Sequence, residues 1–268
     1  MANFWNLVRN ENMKIYRRIA TWIMMGFIVL VPILLTVLFA IFSEGKQPNN
    51  WEMMTLETQI LFQLITIFTV VKAAESVAGE FTMGTIKLLL IRPWSRSSIL
   101  LSKFISVVLF ALFFSLVSFA VTWLINVIVF GYSAHPAGLI PPNSPLSDAS
   151  PWAYVLMAYL DQFIALVVIV TFGFMLSSAF RSSGLAIGLS IFLLLSGNLV
   201  SGLLAMADKP WVKFVLFPHL GLTSYLDGGS PVPNYPTTYG FSLAVLAVYF
   251  LIFNLVSWTV FTKRDVAG

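Results

Sequence analysis

Ile19 to Ser43 reads IATWIMMGFIVLVPILLTVLFAIFS, an uncharged stretch between Arg18 and Glu44. A helix needs about 20 apolar residues to cross about 30 Å of hydrocarbon, so this stretch is long enough to be a span. Working outward, three more uncharged runs lie at 104–147, 182–207 and 228–262. The third of these opens with a Pro-rich loop, which places its helix start near Tyr239. Two further spans are less clean. Residues 58–71 give about 21 Å of uncharged helix, too short to cross. That helix must run on, with Glu57 or Lys72 reaching toward headgroups. The stretch from Trp152 to Phe180 is long enough but contains Asp161. The reading is an all-α integral membrane protein with six transmembrane helices, at about 19–43, 56–79, 102–130, 152–180, 183–206 and 239–262. Residues 1–268 form one transmembrane domain.

Composition agrees. Of 268 residues, 59% are apolar, 15% aromatic and 10% charged, against about 25% charged in soluble domains. Fifteen basic and eleven acidic side chains are too few to cover a soluble globule of this size. Disorder and collagen are excluded by the abundance of Phe and Leu and by ordinary Gly and Pro. With no cysteine, disulfides and thiolate metal sites are excluded.

Orientation follows from Lys and Arg near the span ends. Six spans put both termini on one side. That side receives Arg9, Lys14, Arg17, Arg18, Lys72, Lys87, Arg92, Arg96, Lys103, Arg181, Lys263 and Arg264; the other receives Lys46, Lys209 and Lys213. Twelve against three places both termini in the cytoplasm. The net charge of +4 is then a topology signal, and no nucleic-acid partner is implied. Residues 3–18 read as an interfacial amphipathic helix, with Phe4, Leu7, Val8 and Ile15 on one face. The apolar run after it is too long for a cleaved signal peptide and lacks a small-residue cleavage site.

The segment between the second and third spans carries the most information. It places Glu75, Glu80, Lys87, Arg92, Arg96 and Lys103 around short apolar pieces. Gly84 permits a sharp turn, Pro93 stops a helix through Ile86–Ile91, and Ser95 suits an N-cap. The expected result is a short cytoplasmic helix within 80–100, longer than a connector requires. It reads either as a docking surface for a cytosolic partner or as a helix pair lying on the membrane.

Glu80-Phe-Thr-Met-Gly84-Thr85-Ile-Lys87-Leu-Leu, then Arg92-Pro93-Trp-Ser95-Arg96 and Ser102-Lys103-Phe104, resembles the signature loop of the type-2 ABC transporter permeases. Leu7-Val8-x-x-Glu11-x-x-Lys14 resembles that family's start. The resemblance implies the permease subunit of a bacterial ATP-driven ABC exporter in the cytoplasmic membrane. Two permease chains, as a homodimer or with a similar paralogue, would form the path. A pair of separate ABC ATPase subunits would hold ATP and Mg. The loop would be the coupling helix, with Glu80, Gly84, Thr85, Lys87, Arg92, Pro93, Ser95 and Arg96 as ATPase-coupling residues.

The apolar run Trp211–Phe217, flanked by Pro210 and Pro218, is too short to span and reads as a re-entrant or interfacial helix before the last span. His135 and His219 sit beside prolines in external loops and read as solvated or interfacial. The chain has no Gly-x-x-x-x-Gly-Lys-Ser/Thr loop and no His-Glu-x-x-His helix, and no Ser with identifiable His and Asp companions in the membrane, so no catalytic, metal or cofactor residue is assigned and the chain is not read as an enzyme. Gly184-x-x-x-Gly188 is a small-residue packing motif. Gln63, Asn126, Asp161 and Asn198 are candidates for path lining or helix packing. Asp161 fits either a buried functional carboxylate or one at the outer interface. The apolar spans with scattered Ser, Thr, Gln and Asn favour an amphiphilic substrate: a peptide antibiotic, a lipid or a lipid-linked molecule. An ATP-independent transporter or channel, and a membrane scaffold recruiting a cytosolic enzyme, are the alternatives.

Overall fold

A computed structural model describes residues 4–43, 48–86, 94–134, 136, 139–207, 209–232 and 234–263, except the side chains of Asn198 and Ala207. Among the described residues the regular structure is helical, with no strand. The long helices are α1 (Phe4–Tyr16), α2 (Ile19–Phe42), α3 (Asn50–Thr82), α4 (Arg96–Phe130), α5 (Pro151–Ala179), α6 (Ser183–Ala207) and α7 (Tyr239–Lys263). Five of them, α2 to α5 and α7, are long and apolar enough to cross a membrane. The sixth, α6, is bent by 44° between Ser183–Gly197 and Leu199–Met206, and qualifies if both halves count as one span. The last two residues of the 80–100 segment's expected start, Thr85 and Ile86, are described. Its middle, 87–93, lies outside the described residues.

The shortfall in the second span is resolved by length. The helix begins at Asn50, where the Asn49 side chain accepts from the Trp51 and Glu52 amides at 3.0 and 2.9 Å. Glu52 accepts in return from the Asn49 amide at 3.1 Å. This reciprocal cap, worth about 1 kcal/mol, starts a 33-residue helix of about 50 Å. Glu57 and Lys72 therefore sit well inside it. Both are buried, at 0% and 6% exposure. Neither stands on the lipid-facing surface of α3: Glu57 is enclosed by neighbouring helices, and Lys72 lines a cavity at the basic end.

α3 is the axis of the bundle and packs on α4, α5 and α6. Trp51, Met54, Leu61, Ile65, Phe110, Phe114 and Phe174 fill the core around it. α2 lies outside and buries only Thr21, Ile28, Pro32 and Thr36. Its Trp22, Phe27, Leu30 and Leu34 are exposed, as a lipid-facing helix requires. α1 packs beneath α4 at the end carrying most of the bases, here the basic end. At the far end Trp152 stacks edge-on against Trp51, with centroids 4.8 Å apart, and lies 5.7 Å from Trp123.

The segment before α7, expected as one re-entrant or interfacial helix, is not a single helix. It breaks into a 3₁₀ turn, Pro210–Phe214, a single helical turn, Leu216–His219, and a second 3₁₀ turn, Leu222–Tyr225. Pro210 and Pro218 lack the amide hydrogens that a continuous helix would use. Gly188 has nothing within 4 Å of where a Cβ would stand, so the small-residue motif makes no close approach there within the described chain.

Candidate functional site

At the basic end, α1, α3 and α4 converge on four charges. Lys103 Nζ donates to Glu11 Oε2 at 2.8 Å and to Glu80 Oε1 at 2.9 Å. Lys14 Nζ donates to Glu11 Oε1 at 2.8 Å and to Glu80 Oε1 at 2.9 Å. The Thr85 hydroxyl donates to the other Glu80 oxygen. Two acids and two bases balance, which is the condition for burying charge at tolerable cost. Burial works against the Lys14 ammonium, but the Glu11 and Glu80 carboxylates outweigh it and raise its pKa. Alongside, Arg18 pairs with Glu75. Ser106 Oγ donates to the Val8 carbonyl at 3.2 Å, fastening α1 to α4.

The other ATPase-coupling residues of the sequence reading fall around this cluster unevenly. Gly84 follows the end of α3 with φ +69°, the left-handed geometry that closes a helix and favours glycine. Ser95 caps α4, accepting from the Ser98 amide at 3.1 Å. Arg96 donates to the Thr262 carbonyl at 3.1 Å, linking the start of α4 to the end of α7. Lys87, Arg92 and Pro93 lie outside the described residues. The sequence reading missed Glu11, Lys14 and Lys103 as partners of Glu80. The i, i+3 spacing of Glu11 and Lys14 was the available signal.

Halfway along the bundle, α3, α5, α6 and the turn at 216–221 enclose a cavity of about 390 Å³. Gln59, Gln63, Thr66, Gln162, Ser190 and Ser201 line it among Phe62, Leu166 and Phe172. Phe217 crosses α6 closely at Gly197, where a Cβ would stand 2.8 Å from the ring. Gln63 therefore lies on a polar-apolar cavity wall. Asn198 is in α6, with its side chain outside the description.

Asn126 and Asp161 are elsewhere. Asn126 Nδ2 donates to Glu57 Oε2 at 2.6 Å, and Thr36 donates to Glu57 Oε1 at 2.6 Å. This buried knot ties α2, α3 and α4 together, a packing role. Asp161 is fully buried. Its Oδ1 accepts from the Tyr239 hydroxyl at 2.5 Å, and its Oδ2 has no hydrogen-bond partner. His219, expected as solvated or interfacial, is also fully buried within the chain. Its Nε2 donates to the Lys213 carbonyl at 2.8 Å, so its Nδ1, 2.7 Å from Ser242 Oγ, accepts. Burial lowers its pKa, opposed by the hydrogen bond to the Lys213 carbonyl.

Several long apolar helices with lipid-suited outer surfaces define an all-α multi-pass membrane protein. The chain belongs to the family described as protein of unknown function, DUF2705, which it matches over residues 12–267. It is 34% identical over a 314-residue alignment to the uncharacterized protein YhcI of Bacillus subtilis (strain 168), covering 98% of this chain and 99% of that one. It is 28% identical over 259 residues to the uncharacterized membrane protein YdbK of the same strain, covering 95% and 99%. These matches correct the resemblance to type-2 ABC permeases: the family matched is DUF2705, and no ABC permease family matches the chain. The resembling loop is a short pattern of common residue types, and a match over almost the whole chain outweighs it.

Proposed function

We propose that the chain is a path-forming membrane transport subunit, driven by a separate cytosolic ATPase. The supporting observation is the cavity of about 390 Å³ between α3, α5 and α6, with its amide and hydroxyl side chains set among aromatic and aliphatic ones. A purely structural bundle gains nothing from leaving such polar groups around a void. The mixture suits an amphiphilic cargo. In this reading α6 is one bent span, both termini are cytoplasmic, and two copies complete the path. The Glu80 cluster holds the end of α3 and the start of the following segment rigidly against α1 and α4. A push on that segment from a bound ATPase would then reach α3, which forms one wall of the cavity. The chain does no ATP chemistry itself.

The test is isolation of the tagged chain from its native membranes under mild cross-linking, followed by ATP hydrolysis assays in nanodiscs. The expected result is a dimer carrying a P-loop ATPase, whose hydrolysis responds to candidate amphiphiles and loses that response in Gln63→Trp, which fills the cavity. A chain that is monomeric, brings no ATPase and is indifferent to Gln63→Trp would refute the reading.

A further inference from the structure

A second cavity, of about 460 Å³, opens at the basic end between α1, α3 and α4. Its walls carry three acids, Glu11, Glu75 and Glu80, and four bases. Three bases are matched: Lys14 and Lys103 share Glu11 and Glu80, and Arg18 holds Glu75. The fourth is Lys72. It is 6% exposed, lines the cavity, and has no hydrogen-bond or ion-pair partner among the described residues. Glu75, one turn on, attracts it, but Arg18 repels it in turn. An ammonium held in a cavity by a largely buried side chain, with no protein counter-ion of its own, is costly unless something else supplies the charge.

We propose that this cavity binds one phosphate group, that of an anionic phospholipid, with Lys72 as its principal contact and Arg18 at its edge. The charge count leaves one positive charge over, and a phosphodiester carries one negative charge. The depth fits as well. Lys72 lies ten residues, about 15 Å, from the end of α3. It stands one turn deeper than the Arg18–Glu75 pair, at the head of α2 and beside the amphipathic α1. On the six-span reading Lys72 closes the uncharged stretch of the second span at its cytoplasmic end, where a headgroup phosphate would come within its reach. Ile15, Met83 and Val107 add apolar wall suited to a glycerol backbone. The site is independent of the transport reading.

The experiment uses the full chain, delipidated in a neutral maltoside detergent. Binding is read by native mass spectrometry and by melting temperature. The probes are phosphatidylglycerol, phosphatidylcholine with the same acyl chains, and free glycerol phosphate. Wild type is expected to hold one phosphatidylglycerol at least tenfold more tightly than phosphatidylcholine and to melt higher with it. Lys72→Met is expected to melt higher than wild type without lipid, since the unpaired charge is gone. It should lose the phosphatidylglycerol shift and at least tenfold in affinity. Lys72→Arg, which keeps the charge, should keep the shift and covers the case in which Lys72→Met does not fold. Equal binding of phosphatidylglycerol by wild type and Lys72→Met, or by wild type no preference for it over phosphatidylcholine, would overturn the proposal. Full competition by millimolar glycerol phosphate would overturn the lipid as occupant and leave a site for soluble phosphate esters.

Discussion

Glu57 shows how one residue fixes three helices. Its two carboxylate oxygens are each taken by a neutral donor, Thr36 of α2 and Asn126 of α4. Asn126→Ala removes one donor and leaves the oxygen buried and unpaired, which costs about 1–3 kcal/mol. Glu57→Ala removes the acceptor from both. In a double-mutant cycle read by thermal unfolding in detergent, the pair is expected to couple by more than 0.5 kcal/mol, the level reached by residues in contact. Strict additivity would show that the knot contributes nothing. His219 offers a pH test. Burial lowers its pKa below the ordinary value of about 6.5. Such a group contributes stability that is complete above the unfolded value and is lost as pH falls through the folded one. The melting temperature of wild type is therefore expected to drop from pH 7 toward pH 5. A His219→Gln variant should show a flatter profile over that window, and an identical slope in both would remove His219 from the account.

At the scale of elements, α1 is held by charge rather than by an apolar face alone. Lys103→Met leaves Glu11 and Glu80 facing each other with Lys14 as their remaining base. Removing one partner of a buried pair costs about 3–5 kcal/mol. The expected outcome is release of α1, seen as faster proteolysis or hydrogen exchange over residues 4–16. Adding Glu80→Gln to Lys103→Met should recover much of the protection, because Lys14 and Glu11 then balance. If α1 stays protected in the single variant, the apolar face suffices. Gly84 ends α3 at positive φ, where an L-residue pays about 1–2 kcal/mol. Gly84→Val should lower the melting temperature and Gly84→Asn should do so much less. Equal losses would mean that the turn geometry is not the cause.

On the scale of the whole molecule, the helical membrane character was legible because hydropathy is a local property. A helix such as α2, facing lipid on most of its surface, must be apolar along its length. The surroundings of Glu57 and Lys72 were not legible, for the complementary reason. Taken one helix at a time, a charge near a span end belongs to the headgroups. In the bundle, α2 and α4 give Glu57 its donors, and the cavity walls enclose Lys72. The Glu80 cluster was largely hidden, since its partners come from positions 11, 14 and 103; the i, i+3 spacing marks Glu11 with Lys14, but nothing local brings either to Glu80 or Lys103. His219 was misread because a Pro-His step looks like a loop, while the turns around it fold inward onto α7. The family was misread because the resemblance rested on short patterns at 7–14 and 80–104, whereas the similarity to YhcI covers 98% of the chain.

Orientation remains the largest statement that the charges make, and the absence of cysteine allows it to be tested cleanly. Any introduced cysteine is the single thiol in the chain. Ser97, in the first turn of α4, and Asn143, in the loop before α5, lie at opposite ends of the bundle. The six-span reading puts twelve of the flanking Lys and Arg on the side of the α3–α4 connection, which Ser97 follows, against three on the other, and flanking bases are retained in the cytoplasm during insertion. A membrane-impermeant maleimide applied to intact cells is therefore expected to label Asn143→Cys and to spare Ser97→Cys until the cells are opened. Both sites are at helix ends or in turns, so the substitutions disturb no packed core. The reverse pattern would invert the molecule and place the Glu80 cluster outside the cell. It would remove any route by which a cytosolic ATPase could act on α3. Labelling of both sites in intact cells would mean that α4, the helix between them, does not separate them across the membrane, and would overturn the six-span reading.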